Sequence, residues 1–316
     1  MADGFSGDSL ALFTALSPSA AVAFACLAFF LFFHKGDERF VERVNRLLAV
    51  PLALCWLGFM AAATHLGTPA NALHAISGVG RSPLSNEVVA AVAFLFFAGV
   101  YWLYMFKIKP VRAVSLALLA ASVVSSVALV SFTAVAYSVP TVPSWDTWHS
   151  PVNLVLSALF AGPVVAAAVL RLCTFLESGD AASSGKTAAS GCAASSDGTA
   201  SSGEVFRTRR WNLGFAFVSF AALLIGTVML FDHRAFLATV SNDVTSAAAL
   251  VPDYAANIVI HCLIGVSAYL MQLAAARMDA SSKTALALHA GASACALCAV
   301  YLIRLPFYAS YLSVGF

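Results

Sequence analysis

Residues 47–106 read LLAVPLALCWLGFMAAAT, then HLGTPANALHAISGVGRSPLSNE, then VVAAVAFLFFAGVYWLYMF. The flanking pieces, 47–64 and 88–106, hold no charged residue. Each approaches the roughly 20 residues that carry a helix across a hydrocarbon core of about 30 Å. The middle piece collects small and polar residues, with a proline near each end. It reads as a polar connection between two membrane helices.

The same signature recurs on both sides, at residues 10–33, 113–137, 151–170, 211–231, 254–276 and 284–303. The first of these begins after Asp3 and Asp8 and lacks a basic flank and a small-residue cleavage site, so it is expected to be a retained span. With 61% hydrophobic and only 10% charged residues, the composition is that of an integral membrane protein. Backbone polar groups inside lipid must be satisfied within the segment, which makes each span a helix. The expectation is an all-α bundle of eight transmembrane helices.

Lys and Arg positions orient the bundle. Fourteen of the seventeen basic residues fall in the connections after spans one, three, five and seven; the opposite side holds Arg81, Arg234 and Arg304. The positive-inside rule then places both termini, and the 65–87 connection, on the outer (periplasmic) side of a cytoplasmic (inner) membrane. The net charge of +2 reports topology, since no connection carries a basic, aromatic-interleaved face suited to nucleic acid.

Between the fifth and sixth spans, residues 178–203 contain eight Ser, seven Ala and five Gly. This composition predicts a flexible linker at 178–206. It separates residues 1–177, with helices 1 to 5, from residues 207–316, with helices 6 to 8. Seven cysteines, most of them within spans, suggest no disulfide framework. No metal site is expected.

The chemistry concentrates at the ends of the polar connection. His65 closes span two, with Gly67 placed for a left-handed cap and Pro69 preventing continuation. Glu87 is expected to open span three just after Ser85 and Asn86. Antiparallel neighbours joined on one side bring these two titratable groups to similar depth. Helix-end electrostatics alone would favour both residues, by about 0.3–1 kcal/mol each. An acid and an imidazole at one membrane depth also suit acceptance of protons from an amphiphilic molecule such as a quinol. Both readings stand at this point.

Thr64-His-Leu-Gly-Thr-Pro69 and Leu84-Ser-Asn-Glu87 are followed in order by Thr141-Val-Pro-Ser-Trp145, Gly162-Pro163, the run 247–254 (AAALVPDY), and Arg304 with Phe307-Tyr308. Taken together these motifs make the chain resemble the membrane anchor subunit of the dimethyl sulfoxide reductase family, over nearly its whole length. The resemblance implies eight spans with both termini outside and oxidation of menaquinol, a diffusible substrate, near the outer face. It implies no prosthetic group in this subunit. The iron-sulfur clusters and molybdopterin would lie in an iron-sulfur electron-transfer subunit and a molybdopterin catalytic subunit docked on that face, the latter reducing an S- or N-oxide such as dimethyl sulfoxide in anaerobic respiration. The family's histidine and glutamate fall on His65 and Glu87, with Glu87 as principal proton acceptor. Arg81, Ser85 and Asn86 become candidates for lining the site. The chain departs from the family in carrying His261 where a basic residue is usual.

Two other functions compete. A haem b anchor needs facing histidines at one depth, and His261 and His289 fall at depths about 10 Å apart. A secondary transporter would call for ionisable residues near the midplane. His74, His149 and His233 are expected to be solvated or interface residues of outer connections. The 138–150 connection, with Trp145 and Trp148, and the 232–253 connection are expected to form the docking surface.

Overall fold

The computed structural model describes residues 7–34, 37–64, 77–188 and 198–313, without the side chains of 181–205. Among the described residues, eight helices are long and apolar enough to cross a membrane: Gly7–Phe33, Glu38–Thr64, Pro83–Tyr104, Arg112–Ala136, His149–Asp180, Phe206–Leu237, Tyr254–Ala276 and Lys283–Ala309. They are called the first to eighth spans below. The all-α, eight-span architecture is therefore the one expected.

The first and fifth spans form the centre, with 61% and 67% of their apolar windows buried against 28–39% for the others. The first packs on the second, fourth, fifth and eighth; the fifth packs on the first, fourth, sixth and eighth. Small residues permit this. A Cβ at Gly162 of the fifth span would stand 2.6 Å from Val22 Cβ and 2.8 Å from the Ser19 carbonyl oxygen of the first. The two backbones thus meet where the sequence supplies no side chain, the usual route to tight packing where water offers no hydrophobic drive. Some hydroxyls inside the bundle are satisfied one turn back along their own helices: Thr14 donates to the Leu10 carbonyl, Ser122 to Leu118 and Ser157 to Asn153.

The second span starts earlier than hydropathy indicates. Glu38–Leu47 is already helical and runs through Leu48 into Ala49–Thr64. Asp37 caps it by accepting from Arg39 N, while Phe40, Val44 and Asn45 face inward. A basic stretch read as a turn is therefore an amphipathic helix. Tyr101 and Trp102 fasten it to the third span: the Tyr101 hydroxyl donates to Asn45 Oδ1 (2.8 Å) and Trp102 Nε1 donates to the Arg46 carbonyl (2.9 Å).

Around the serine-, alanine- and glycine-rich stretch, the helices run His149–Ala188 and Gly198–Leu237, so the backbone is helical to Ala188 and again from Gly198. The alanines there are strong helix formers. Residues 189–197 lie outside the described residues.

Contacts between connections separate two ends. At one, Trp145 reaches Phe307 and His149 reaches Asp232; this end also holds Gly7 and Ala309 and is called the terminal end. At the other, Arg171 donates to the Asp279 carbonyl and Arg43 meets Asp180; most basic residues lie here, and it is called the basic end.

Candidate functional site

At the terminal end, Gly78 accepts from the backbone N–H groups of Arg81 (3.0 Å) and Ser82 (2.8 Å), forming a tight turn. Gly80, at φ +80°, occupies the left-handed region that favours glycine. Its N–H donates to Asn86 Oδ1 at 2.7 Å, which ties the turn to the helix that follows. Asn86 is thus a tether. Ser85 is buried beneath the turn, its Oγ 2.6 Å from where a Gly78 Cβ would stand. Arg81 is exposed.

The third span begins at Pro83, with Ser82 in the cap position. Proline is pre-organised for the first helical position, so the helix starts ahead of Ser85 and Asn86, which do not cap it. Glu87 consequently sits in the second turn, and the first turn holds no acidic residue. The helix-end account of this glutamate weakens accordingly, because the field of the free N–H groups falls off within one turn.

Glu87 is 2% exposed, and its Oε1 has no hydrogen-bond partner among the described residues. Its carboxylate faces Thr133 of the fourth span. Tyr137 and Tyr308 feel its charge, and both also feel Arg304. Burial, and then the nearby Glu87 carboxylate, push the Tyr137 phenol well above its usual range, so it stays an O–H donor. The Tyr137 and Tyr308 rings meet edge-on at 5.3 Å, and the Tyr308 hydroxyl donates to Thr14 Oγ1 at 3.2 Å. The fourth and eighth spans, and the connection that follows the fourth, therefore meet the third at one acid. A buried, under-partnered carboxylate is costly, and such groups mark functional positions in membranes.

Arg304 is a neighbour of the same two tyrosines. It is 3% exposed, with Nε and Nη2 lacking partners among the described residues and its guanidinium 5.7 Å from the Phe307 ring centre. Tyr254 is a further neighbour. Sequence reading carries Arg304 only as a family motif; a charged residue directly after the eighth apolar run, inside a helix that continues to Ala309, is the signal for more.

Other placements differ from expectation. His65 and His74 lie outside the described residues, as do Gly67 and Pro69. His149 and His233 are buried rather than solvated, at 4% and 0% exposure. His149 Nε2 meets Asp232 Oδ2 at 2.9 Å and its Nδ1 meets Thr147 Oγ1 at 2.7 Å, while His233 Nδ1 meets the Tyr254 hydroxyl at 3.0 Å. His261, by contrast, is the satisfied intramembrane histidine that its place within an apolar span suggests, its Nδ1–H donating to the Ala299 carbonyl at 2.9 Å. Trp145 cannot serve as a docking anchor, being buried in a stack with Phe307 at 5.3 Å and donating Nε1–H to the Phe307 carbonyl. Trp148, stacked on His149, is 55% exposed.

Comparison with known proteins gives a consistent set. "Anaerobic dimethyl sulfoxide reductase chain YnfH" of Escherichia coli (strain K12) is 28% identical over 256 residues, covering 81% of this chain and 78% of that protein. The C subunit of anaerobic dimethyl sulfoxide reductase from the same organism is 29% identical, with the same shares covered. The C subunit of the Haemophilus influenzae enzyme is 28% identical over 162 residues, 51% of this chain and 57% of that protein. The family described as "DMSO reductase anchor subunit (DmsC)" matches residues 1–308, nearly the full length, and the chain belongs to that family.

Proposed function

We propose that this subunit binds menaquinol beside Glu87 and oxidises it, passing electrons to an iron-sulfur subunit and on to a molybdopterin subunit that reduces an S- or N-oxide such as dimethyl sulfoxide. The observation that carries the reading is the buried Glu87 carboxylate in the second turn, with one oxygen unpartnered. Oxidation of a quinol releases two electrons and two protons. A carboxylate with a free lone pair in a dry setting can accept a hydroxyl proton as the electrons depart. His65 is the second partner for the quinol, and Ser85 and Asn86 shape the turn at the site's edge. Arg81, exposed at the same end, lies nearer the docking surface than the carboxylate.

On the same reading the terminal end, and both termini, lie on the outer side of the cytoplasmic membrane. The partner subunits then dock there, against Trp148 and the 232–253 connection. The charge distribution supports this orientation, with fourteen basic residues at the opposite end.

Glu87→Gln in the assembled complex is the test. It keeps the shape and removes the proton acceptor. Oxidation of a menaquinol analogue should fall by at least about a hundredfold, the usual weight of a positioned acid or base, with subunit assembly unchanged. Normal turnover in a fully assembled variant would sink the assignment.

A further inference from the structure

The basic end contains a cleft that the quinol reading does not use. It encloses about 350 Å³, counted out to its open mouth, between the fifth, sixth, seventh and eighth spans. Arg171, Thr174, Thr208, Arg209, Asn212 and His289 line it, together with Ala276 and Met278. Two guanidinium groups thus face a cleft with no carboxylate in its wall.

Three of these groups are buried, and each has one polar atom without a partner among the described residues. Arg171 is 7% exposed with Nε unmatched, Asn212 is 8% exposed with its amide oxygen unmatched, and His289 is 1% exposed with Nδ1 unmatched. Arg171 is already fixed in place, its Nη2 donating to the Asp279 carbonyl. The Asp279 carboxylate offsets part of its charge from the exposed connection, outside the lining. The Thr174 proton is committed to the Arg171 carbonyl at 2.9 Å. Available donors are then the Arg171 Nε–H and the Arg209 guanidinium at the rim, with the His289 imidazole beside them. This is a donor set for an anion with several oxygens, and arginine's planar fork suits phosphate.

The surface beside the cleft indicates where that phosphate comes from. Leu213 and Phe217 of the sixth span are 43% and 73% exposed, and Leu270 of the seventh is 57% exposed. These side chains face lipid within two or three turns of the cleft, and the sixth and seventh spans pack together along this line. We propose that the cleft holds the phosphate of an anionic phospholipid headgroup, whose acyl chains lie against Leu213, Phe217 and Leu270. Basic pockets between spans at the edge of a bilayer recognise such headgroups through this chemistry.

The full-length chain, washed free of lipid in neutral detergent, is titrated by native mass spectrometry with phosphatidylglycerol, phosphatidylethanolamine and inorganic phosphate in separate runs. One phosphatidylglycerol should be retained per protein molecule, in preference to the other two. Arg171→Gln and Arg209→Gln should each weaken its retention by roughly tenfold, the weight of one charge-assisted hydrogen bond. Arg277→Gln, at the same end but outside the lining, should leave it unchanged. Arg209 is exposed, so its variant reports even where Arg171→Gln fails to fold. Equal retention of phosphatidylethanolamine, or tighter holding of inorganic phosphate than of lipid, overturns the proposal. So does indifference to Arg209→Gln, or an equal loss in Arg277→Gln.

Discussion

Gly162→Ala adds one methyl group where the first and fifth spans meet, and its cost follows from the contacts. The new Cβ would stand 2.6 Å from both Cβ and Cγ1 of Val22 and 2.8 Å from the Ser19 carbonyl oxygen. Carbon atoms in ordinary contact sit about 3.5–4.0 Å apart, so the helices must separate by about 1 Å. Val22 is β-branched and the Ser19 oxygen belongs to the backbone, so neither swings aside. Overpacking of this kind costs about 1–3 kcal/mol, and the better helix propensity of alanine returns up to about 1 kcal/mol. The net loss is about 1–2 kcal/mol. At roughly 2–4 °C per kcal/mol for a large domain, the melting midpoint should fall by about 2–8 °C. The assay is thermal unfolding in detergent followed by tryptophan fluorescence. Two controls share the chemistry but not the contact: a Cβ at Gly226 would meet only Leu156 Cβ, at 3.6 Å, and one at Gly214 nothing within 4 Å. Both alanine variants should melt at or above the parent. If Gly162→Ala melts with them, the close approach of the two central spans is wrong.

Arg304→Met should raise the melting midpoint while slowing menaquinol oxidation, because replacing a buried, under-partnered charge by an apolar side chain is often stabilising, by about 1–4 kcal/mol; a lowered midpoint would show the guanidinium to be well satisfied. Tyr101→Phe and Asn45→Leu, combined in a double-mutant cycle, should show a coupling of about 1 kcal/mol in unfolding, whereas strict additivity would remove the contact between the amphipathic helix and the third span. Trp145→Phe removes one of the two donors to the Phe307 carbonyl, the Ser310 hydroxyl remaining, and should cost about 0.5–1.5 kcal/mol, seen as faster proteolysis at the terminal end; unchanged cleavage would argue against the stack.

The spans were legible because lipid imposes one requirement on every residue of a crossing helix, and a simple count of charge and length detects it. Glu87 was legible for the opposite reason, as an acid at the edge of such a span. Its depth was not. Pro83 starts the helix before Ser85 and Asn86 can cap it, and this moves the acid from an electrostatically easy position to a costly one. Trp145 and His149 were read as surface residues because their partners lie far along the chain: Phe307 is 162 residues from Trp145, and Asp232 is 83 from His149. The amphipathic helix at Glu38–Leu47 escaped a hydropathy count because only one face of it is apolar. His65, the other half of the sequence-based site, falls outside the described residues.

The hydrogen bond from Tyr308 to Thr14 joins residues 294 positions apart. Thr14 belongs to a helix that leaves the ribosome long before the one that carries Tyr308. At 5–20 residues per second, the early helix waits roughly 15–60 s in the bilayer for its partner. It can wait safely, because the Thr14 hydroxyl meanwhile donates to its own Leu10 carbonyl at 2.8 Å and exposes no unmet proton to lipid. Biogenesis of the Glu87 surroundings is therefore a closing step. A chain that stalls before the span carrying Tyr308 leaves the membrane holding the earlier helices and an unfinished site, a ready mark for quality control to recognise.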